Sequence, residues 1–304
     1  MSASQPEVIA GLESRQFDDA VILVTGATDG VGREAALGFG RLGATVLAHG
    51  RSPEKADSLD RELSATNAAD VQTFVADFEH LEEVRKLAAS VREQTDRVDV
   101  LVNNAGAFFS AAALTDLGVE RTFVVNHLAP FVLTHDLLAL IEESEGRIVN
   151  TASAIHRRGD FDLDELTTVD GYDGMDAYAR SKRANVEFTL ALADRLEDAT
   201  TTCFHPGFIP GSGLYREGSL PVRLLMKALD GLPLALTRRF VSTPADGAAA
   251  ALSLALSPQW ESVNGTYFDR TEPADPSTRG EAFRERLWEW SEAVSDVEWN
   301  GPNE

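Results

Sequence analysis

The sequence predicts an α/β fold: a doubly wound sheet of about seven parallel strands with helices on both faces. Two observations carry this reading. Apolar runs of strand length alternate with longer stretches of helical period, the pattern left by βαβ units around a parallel sheet. The 304 residues, 43% hydrophobic and 25% charged, show no repeat, low-complexity linker or break in composition, so they read as one domain.

The first strand is AVILVTG at 20–26, and the helix after it, over 31–42, is ended by Gly43. TVLAHG at 45–50 is the second strand, and Pro53 opens the next helix in its favoured first-turn position. VQTFVAD at 71–77 makes the third strand, followed by a helix with an acidic start over 79–94. The fourth strand is VDVLVNNAG at 98–106; a long helical pattern over 115–143 then leads to the fifth, GRIVNTAS at 146–153. A helix over 175–196 precedes the sixth strand, TTTCFHPG at 200–207. Beyond Pro206 come a Gly- and Pro-punctuated apolar segment, a helix over 244–256, a short seventh strand at 265–269 and a terminal helix around EAFRERLWEWSEAV. Residues 1–17 and 297–304 read as an N-terminal extension and a C-terminal tail of a domain spanning 18–296.

Charge excludes whole classes of partner. The 27 Lys and Arg against 49 Asp and Glu give −22, a field that repels phosphate backbones and anionic lipid. Only Lys55, Lys86, Lys182 and Lys227 are lysines, and such an acidic, Lys-poor surface suits a halophilic protein whose self-repulsion is screened by salt. Cys203 is the single cysteine, so no intrachain disulfide forms. The N-terminus lacks a basic region followed by an apolar run, and no apolar stretch reaches the roughly 18 uninterrupted residues of a spanning helix. The expectation is a cytoplasmic protein with no membrane span.

The turn after the first strand, Thr25-Gly26-Ala27-Thr28-Asp29-Gly30-Val31-Gly32, suits a pyrophosphate. Its glycines let backbone N–H groups approach the phosphates at a helix N-terminus, the arrangement of a Rossmann-type nucleotide site. The second strand ends in Arg51 and Ser52, where an NAD site would carry a carboxylate for the ribose 2′-hydroxyl; an arginine there takes a 2′-phosphate and points to NADP rather than NAD. Asp29 is an unhelpful negative charge for that reading. Tyr178 and Lys182, four apart on a predicted helix, share a face, and the lysine supplies the cation that a phenol of ordinary pKa about 10 needs to act as a proton donor and acceptor. Ser153 terminates the fifth strand, at the end where open α/β sheets bind ligands. Pro130 lies inside the long helix with no N–H to offer, which leaves the Asn126 carbonyl to hold an ordered water near Lys182.

Together these residues resemble the short-chain dehydrogenase/reductase family over about 18–296. The matches are TGATDGVG at 25–32, Asp77, NNAG at 103–106, Asn126, Ser153, Tyr178-x-x-x-Lys182 and HPG at 205–207, in the family's order. The resemblance implies a catalytic tetrad of Asn126, Ser153, Tyr178 and Lys182. It places Asp77 at the adenine, Asn104, Ala105 and Gly106 at the cofactor floor, and Pro206 and Gly207 beside the nicotinamide. It implies an NADP(H)-dependent oxidoreductase acting on a small-molecule carbonyl or alcohol, as a homodimer or homotetramer. A narrower resemblance, to the branch with retinol dehydrogenases, WW-domain oxidoreductases and light-dependent protochlorophyllide reductases, rests on AHGRS, SAIHRRG, DFDLDEL, AYARSKRANVEF and HPGFIPGSGLYRE. No cysteine stands near the active-site helix, so photochemical reduction is not expected. His156 and His205 read as structural, and no histidine has metal-ligand spacing.

The segment 208–241 is expected to fold as a lid over a bulky apolar substrate, through Phe208, Ile209, Leu214, Tyr215, Leu220, Val222, Leu224, Leu225, Met226, Leu229, Leu232, Leu234, Leu236 and Phe240. The alternatives are a non-catalytic NADP-binding sensor and an interaction protein, since fold alone does not settle function.

Overall fold

Strands covered on both faces are mostly apolar, and β1 (Val21–Val24), VILV, is completely buried from Ile22 to Val24. The structure, a computed structural model, describes residues 5–12, 17–210, 220, 223–224, 227–228 and 241–299. Around β1 lie β2 (Thr45–Gly50), β3 (Val71–Val75), β4 (Val100–Asn103), β5 (Arg147–Thr151), β6 (Thr200–His205) and β7 (Thr266–Asp269), all parallel, in the order β3-β2-β1-β4-β5-β6-β7. These are the seven parallel strands expected; an eighth, β8 (Glu272–Pro273), pairs antiparallel to β7. Two exposed residues carry no alternation for a sequence pattern to reveal. The chain reverses direction across the sheet between β1 and β4, which opens a crevice at the carboxyl ends of those strands.

Two layers of helices cover the sheet. One core unites α2 (Gly30–Leu42), α3 (Pro53–Leu63) and α7 (Pro244–Leu256); the other unites α4 (Leu81–Gln94), α5 (Arg121–Glu142), α6 (Gly174–Ala193) and α8 (Glu281–Ser295). The expected start of α4 at 79 moves to Leu81, with His80 at the N-cap, and α6 ends at Ala193 rather than at 196.

The larger correction is α5. The pattern over 115–143 does not all become helix: Leu114 and Glu120 form an antiparallel bridge, and the Glu120 carboxylate then caps the helix by accepting from Thr122 N–H at 2.8 Å and Phe123 N–H at 3.0 Å. Nor is the helix regular before Pro130, as the reading of a freed Asn126 carbonyl assumed. Val124–Leu128 is a π-helical turn in which Ala129 N–H bonds to Val124 O, five residues back. An extra residue in the turn relieves the crowding that a proline ring imposes on the preceding turn. By length and composition α5 could cross a membrane, yet Phe123, Val124, Leu128, Phe131, Leu133, Leu137 and Ile141 are all buried inside the domain.

Residues 5–12 of the N-terminal segment dock on the domain. Helix α1 (Pro6–Ile9) packs against α2 and α7, and the buried Glu7 accepts from Arg41 at 2.6 and 2.9 Å. At the other end Trp299 joins Trp288, Phe131 and Phe188 in an aromatic cluster. Of the expected lid, Phe208, Ile209, Leu220 and Leu224 are described, the last two 66% and 58% exposed; the other side chains named for it lie outside the described residues.

Candidate active site

The glycine turn is built by a threonine. Thr25, fully buried at the end of β1, donates to Val102 O at 3.3 Å and accepts from Asn104 N–H and Ala105 N–H, each at 3.0 Å. Asn104 returns the tie by donating to Thr25 O at 2.9 Å. The two turns are thereby drawn so close that no side chain fits between them. Gly26 has φ +65°, and a Cβ on it would meet Ala105 Cα at 2.8 Å; one on Gly32 would overlap the Asn104 amide. Gly32 therefore stands behind the cavity wall, whereas Gly26, Thr28, Asp29, Gly30 and Val31 line it.

Asp29 does not oppose an anionic ligand as its charge suggested. It is the N-cap of α2, accepting from Gly30 N–H at 2.9 Å, and its other oxygen pairs with Lys55 Nζ at 2.8 Å. Lys55, 26 residues further along, was not singled out from the sequence. Arg51 lines the cavity with its side chain half-exposed and Glu79 4.0 Å away. Asp77 is beside it, accepting from Glu79 N–H at 3.1 Å. Ser52 caps α3, accepting from Lys55 N–H at 3.4 Å and donating to Glu54 at 2.7 Å, and is not part of the wall.

His49 is a second residue that sequence reasoning missed. It donates through Nε2 to Ala76 O at 3.0 Å, accepts through Nδ1 from Gly26 N–H at 3.4 Å, and stacks on Phe78 at 4.2 Å with the rings 7° from parallel. Burial lowers its pKa to about 4, which keeps the ring neutral and Nδ1 able to accept. The available signal was a polar side chain near the end of a strand whose preceding residues, Val46 to Ala48, are apolar.

At the opposite end of the crevice, Asp173 caps α6 and the helix delivers Tyr178 and Lys182, 7% and 3% exposed, to the wall. Lys182 donates to Thr151 O at 2.8 Å, and its Nζ lies 5.7 Å from the centre of the Tyr178 ring. Burial lowers the Lys182 pKa to about 8. Ser153 follows β5 on the same wall. Asn126 sits in the π-turn behind it: Oδ1 accepts from Ala107 N–H at 2.7 Å, and Nδ2 donates to Ala107 O and Ser181 Oγ, each at 3.0 Å. A Cβ on Gly106 would lie 3.3 Å from Asn126 Oδ1 and 3.5 Å from Lys182 Nζ, so these three positions meet at one point.

A continuous cavity of about 270 Å³ joins the two ends. Asn104, Ala105 and Gly106 form part of its wall, and His205, Pro206, Gly207, Phe208 and Ile209 close it beyond Ser153. Burial lowers the His205 pKa to about 4, and its Nδ1 is buried with no hydrogen-bond partner among the described residues. The site is thus a crevice with Arg51 and Asp77 at one end, a close-packed glycine turn beside them, and a Ser-Tyr-Lys group at the other end.

Comparison with known proteins agrees with this geometry. The family profile described as short chain dehydrogenase matches residues 20–217. Retinol dehydrogenase 14 of Homo sapiens is 36% identical over 292 residues, covering 90% of this chain and 85% of that protein. A short chain dehydrogenase from Escherichia coli CFT073, complexed with NADPH, superimposes with a TM-score of 0.65 at 26% identity, over 85% of this chain and 99% of that one. The Pseudomonas aeruginosa RhlG/NADP active-site complex gives a TM-score of 0.64 at 26% identity, over 83% and 94% of the two chains.

Proposed function

The chain belongs to the short-chain dehydrogenase family, and from that premise we propose that it interconverts an alcohol and a carbonyl with NADP(H), Tyr178 acting as general acid and base. The observation that carries the reading is the convergence of Ser153, Tyr178 and Lys182 on the cavity that also holds the glycine turn and Arg51.

The residues suit a nicotinamide dinucleotide. Gly26 and Gly32 leave backbone where side chains cannot stand, the α2 N-terminus offers N–H groups to a pyrophosphate, and the His205 Nδ1 has no hydrogen-bond partner among the described residues. Arg51 takes the 2′-phosphate, and Lys55 cancels the charge of Asp29 beside it. When bound, the nicotinamide supplies or accepts the hydride. Tyr178 gives its hydroxyl proton to the substrate oxygen in the reductive direction and removes it in the oxidative one. Ser153 donates a hydrogen bond to that oxygen and holds it in place. The Lys182 ammonium favours the phenolate that Tyr178 becomes. Asn126 holds the Ala107 backbone next to Lys182 through its side-chain amide.

The substrate is bulky and apolar. Phe109, Val125, Phe208 and Ile209 line the cavity, and each substrate methylene they bury contributes about 0.8 kcal/mol. The likeness to retinol dehydrogenase 14 places retinoid-like aldehydes in the panel to be tested.

The test is NADPH oxidation over aldehydes and ketones of increasing apolar bulk, for which kcat/KM should climb. Tyr178→Phe should bind NADPH normally and lose roughly two to four orders of magnitude in kcat. Arg51→Ala should weaken NADPH by about 1.5–3 kcal/mol and NADH far less. A Phe variant that retains most of its kcat overturns the catalytic assignment, and equal losses for the two cofactors overturn the NADP assignment.

A further inference from the structure

Ser153 opens a short 3-10 turn, Ala154–Arg158, and His156 within it is completely buried. Its Nδ1 lies 2.6 Å from Ser153 O and its Nε2 2.6 Å from Pro276 O. Both oxygens are backbone carbonyls, which only accept. A neutral imidazole has one N–H and can satisfy one of them; both contacts are hydrogen bonds only when the ring is protonated.

The same segment is gripped on either side of Pro276. Arg157 donates to Asp275 O at 2.7 Å, and Arg183, on the helix that carries Tyr178 and Lys182, donates to Ser277 O. Three consecutive carbonyls, 275 to 277, are therefore held by side chains of the Ser153 turn and of α6. Ser277 keeps a left-handed φ of 52° with its N–H on Asp275 Oδ1, a conformation uncommon outside glycine. Such a backbone persists only where its surroundings over-determine it.

We propose that His156 is a positioning residue for Ser153: it fastens the serine's backbone to the 275–277 strap, and protonation of the ring completes the fastening. The proposal rests on the function argued above, in which Ser153 holds the substrate oxygen. Burial of the ring opposes the proton most, the carbonyls of Ser153 and Pro276 favour it, and Arg183 on α6 and Arg157 on the same turn oppose it further. His205 on β6 and Tyr267 on β7, whose ring centre is 4.9 Å from that of His156, face it without charge, while Asp160 before α6 and Asp275 on the strap sit near the two arginines. The His156 pKa is thus below the ordinary value, so the second bond forms as the pH falls below neutrality.

The experiment uses the full chain with NADPH. His156→Leu removes both donors, and His156→Asn keeps one amide donor toward Ser153. At neutral pH the Leu variant should raise the carbonyl KM roughly tenfold, the loss of one hydrogen bond, with the NADPH KM unchanged. The Asn variant should fall between Leu and wild type. The wild-type carbonyl KM should drop only as the pH falls below the ordinary imidazole value of about 6.5, and in the Asn variant it should be flat. Nitrogen-15 histidine spectra of the NADPH complex, with His156 assigned by its absence from the Asn variant, should show both ring nitrogens protonated at the acid end.

A carbonyl KM unchanged in the Leu variant, or an NADPH KM that rises with it, overturns the positioning role. A ring with one N–H over the whole range overturns the proton dependence. If the Leu variant does not fold, the Asn variant and the spectra decide. If the wild type reduces no carbonyl, the functional reading fails instead; amide exchange over 275–280, faster in the Asn variant if the clamp is real, then judges the clamp by itself.

Discussion

Lys182 is an ammonium buried to 3% exposure whose hydrogen bond goes to a neutral carbonyl, Thr151 O. Its pKa of about 8 against 10.5 means that the fold pays to keep the charge, a cost fully present below about pH 8 that vanishes as the pH rises past 10.5, where the lysine is neutral folded or unfolded. A residue kept at such a cost serves the reaction rather than stability. Lys182→Met should therefore abolish turnover and yet stabilise the protein at pH 7, by roughly 1–3 kcal/mol once the lost bond to Thr151 is counted. Urea unfolding at pH 7 and pH 10 measures this, and the gap should shrink at the higher pH. A Met variant less stable than wild type at pH 7 would show that the charge is better compensated than its surroundings imply.

At the scale of elements, α1 joins the domain through one ion pair on a packed helix surface. Glu7, 6% exposed, accepts two bonds from Arg41 on α2, and Pro6 packs over Gly38 where a side chain would collide. Glu7→Ala strands Arg41 and should lower stability by about 1.5–3 kcal/mol, read as a drop in Tm. NADPH affinity should not change, because neither residue lines the cavity. A loss of affinity equal to the loss of stability would mean that α1 is coupled to the glycine turn through α2. The π-turn of α5 illustrates the limit of a local reading: Pro130 announces an irregularity, but only the packing of Asn126 against Ala107 and Ser181 selects a widened turn over a kink.

Over the whole molecule the net charge of −22 is a long-range repulsion that no single contact cancels. Salt screens it, with a Debye length of about 3 Å at 1 M. The Tm should rise steadily as KCl goes from low to molar concentration, followed by circular dichroism at fixed pH. A flat or falling Tm would mean that the carboxylates are already locally compensated, as Asp29 is by Lys55 and Glu7 by Arg41.

The sequence by itself determined the parallel α/β architecture, the strands β1 to β7, and the positions of Gly26, Ser153, Tyr178 and Lys182 on strand ends and one helix face. Periodicity, turn glycines and helical spacing are local signals, legible in windows shorter than one element. Only the tertiary structure decided that Lys55 neutralises Asp29, that His49 links the glycine turn to the strand beyond it, that Asn126 spends its amide on Ala107, and that His156 spans Ser153 and Pro276. The two-residue β8 and the true start of α5 belong with these. Each depends on polar groups distant in sequence that must find partners once water is removed, and a desolvated donor or acceptor takes whichever partner the fold brings within reach.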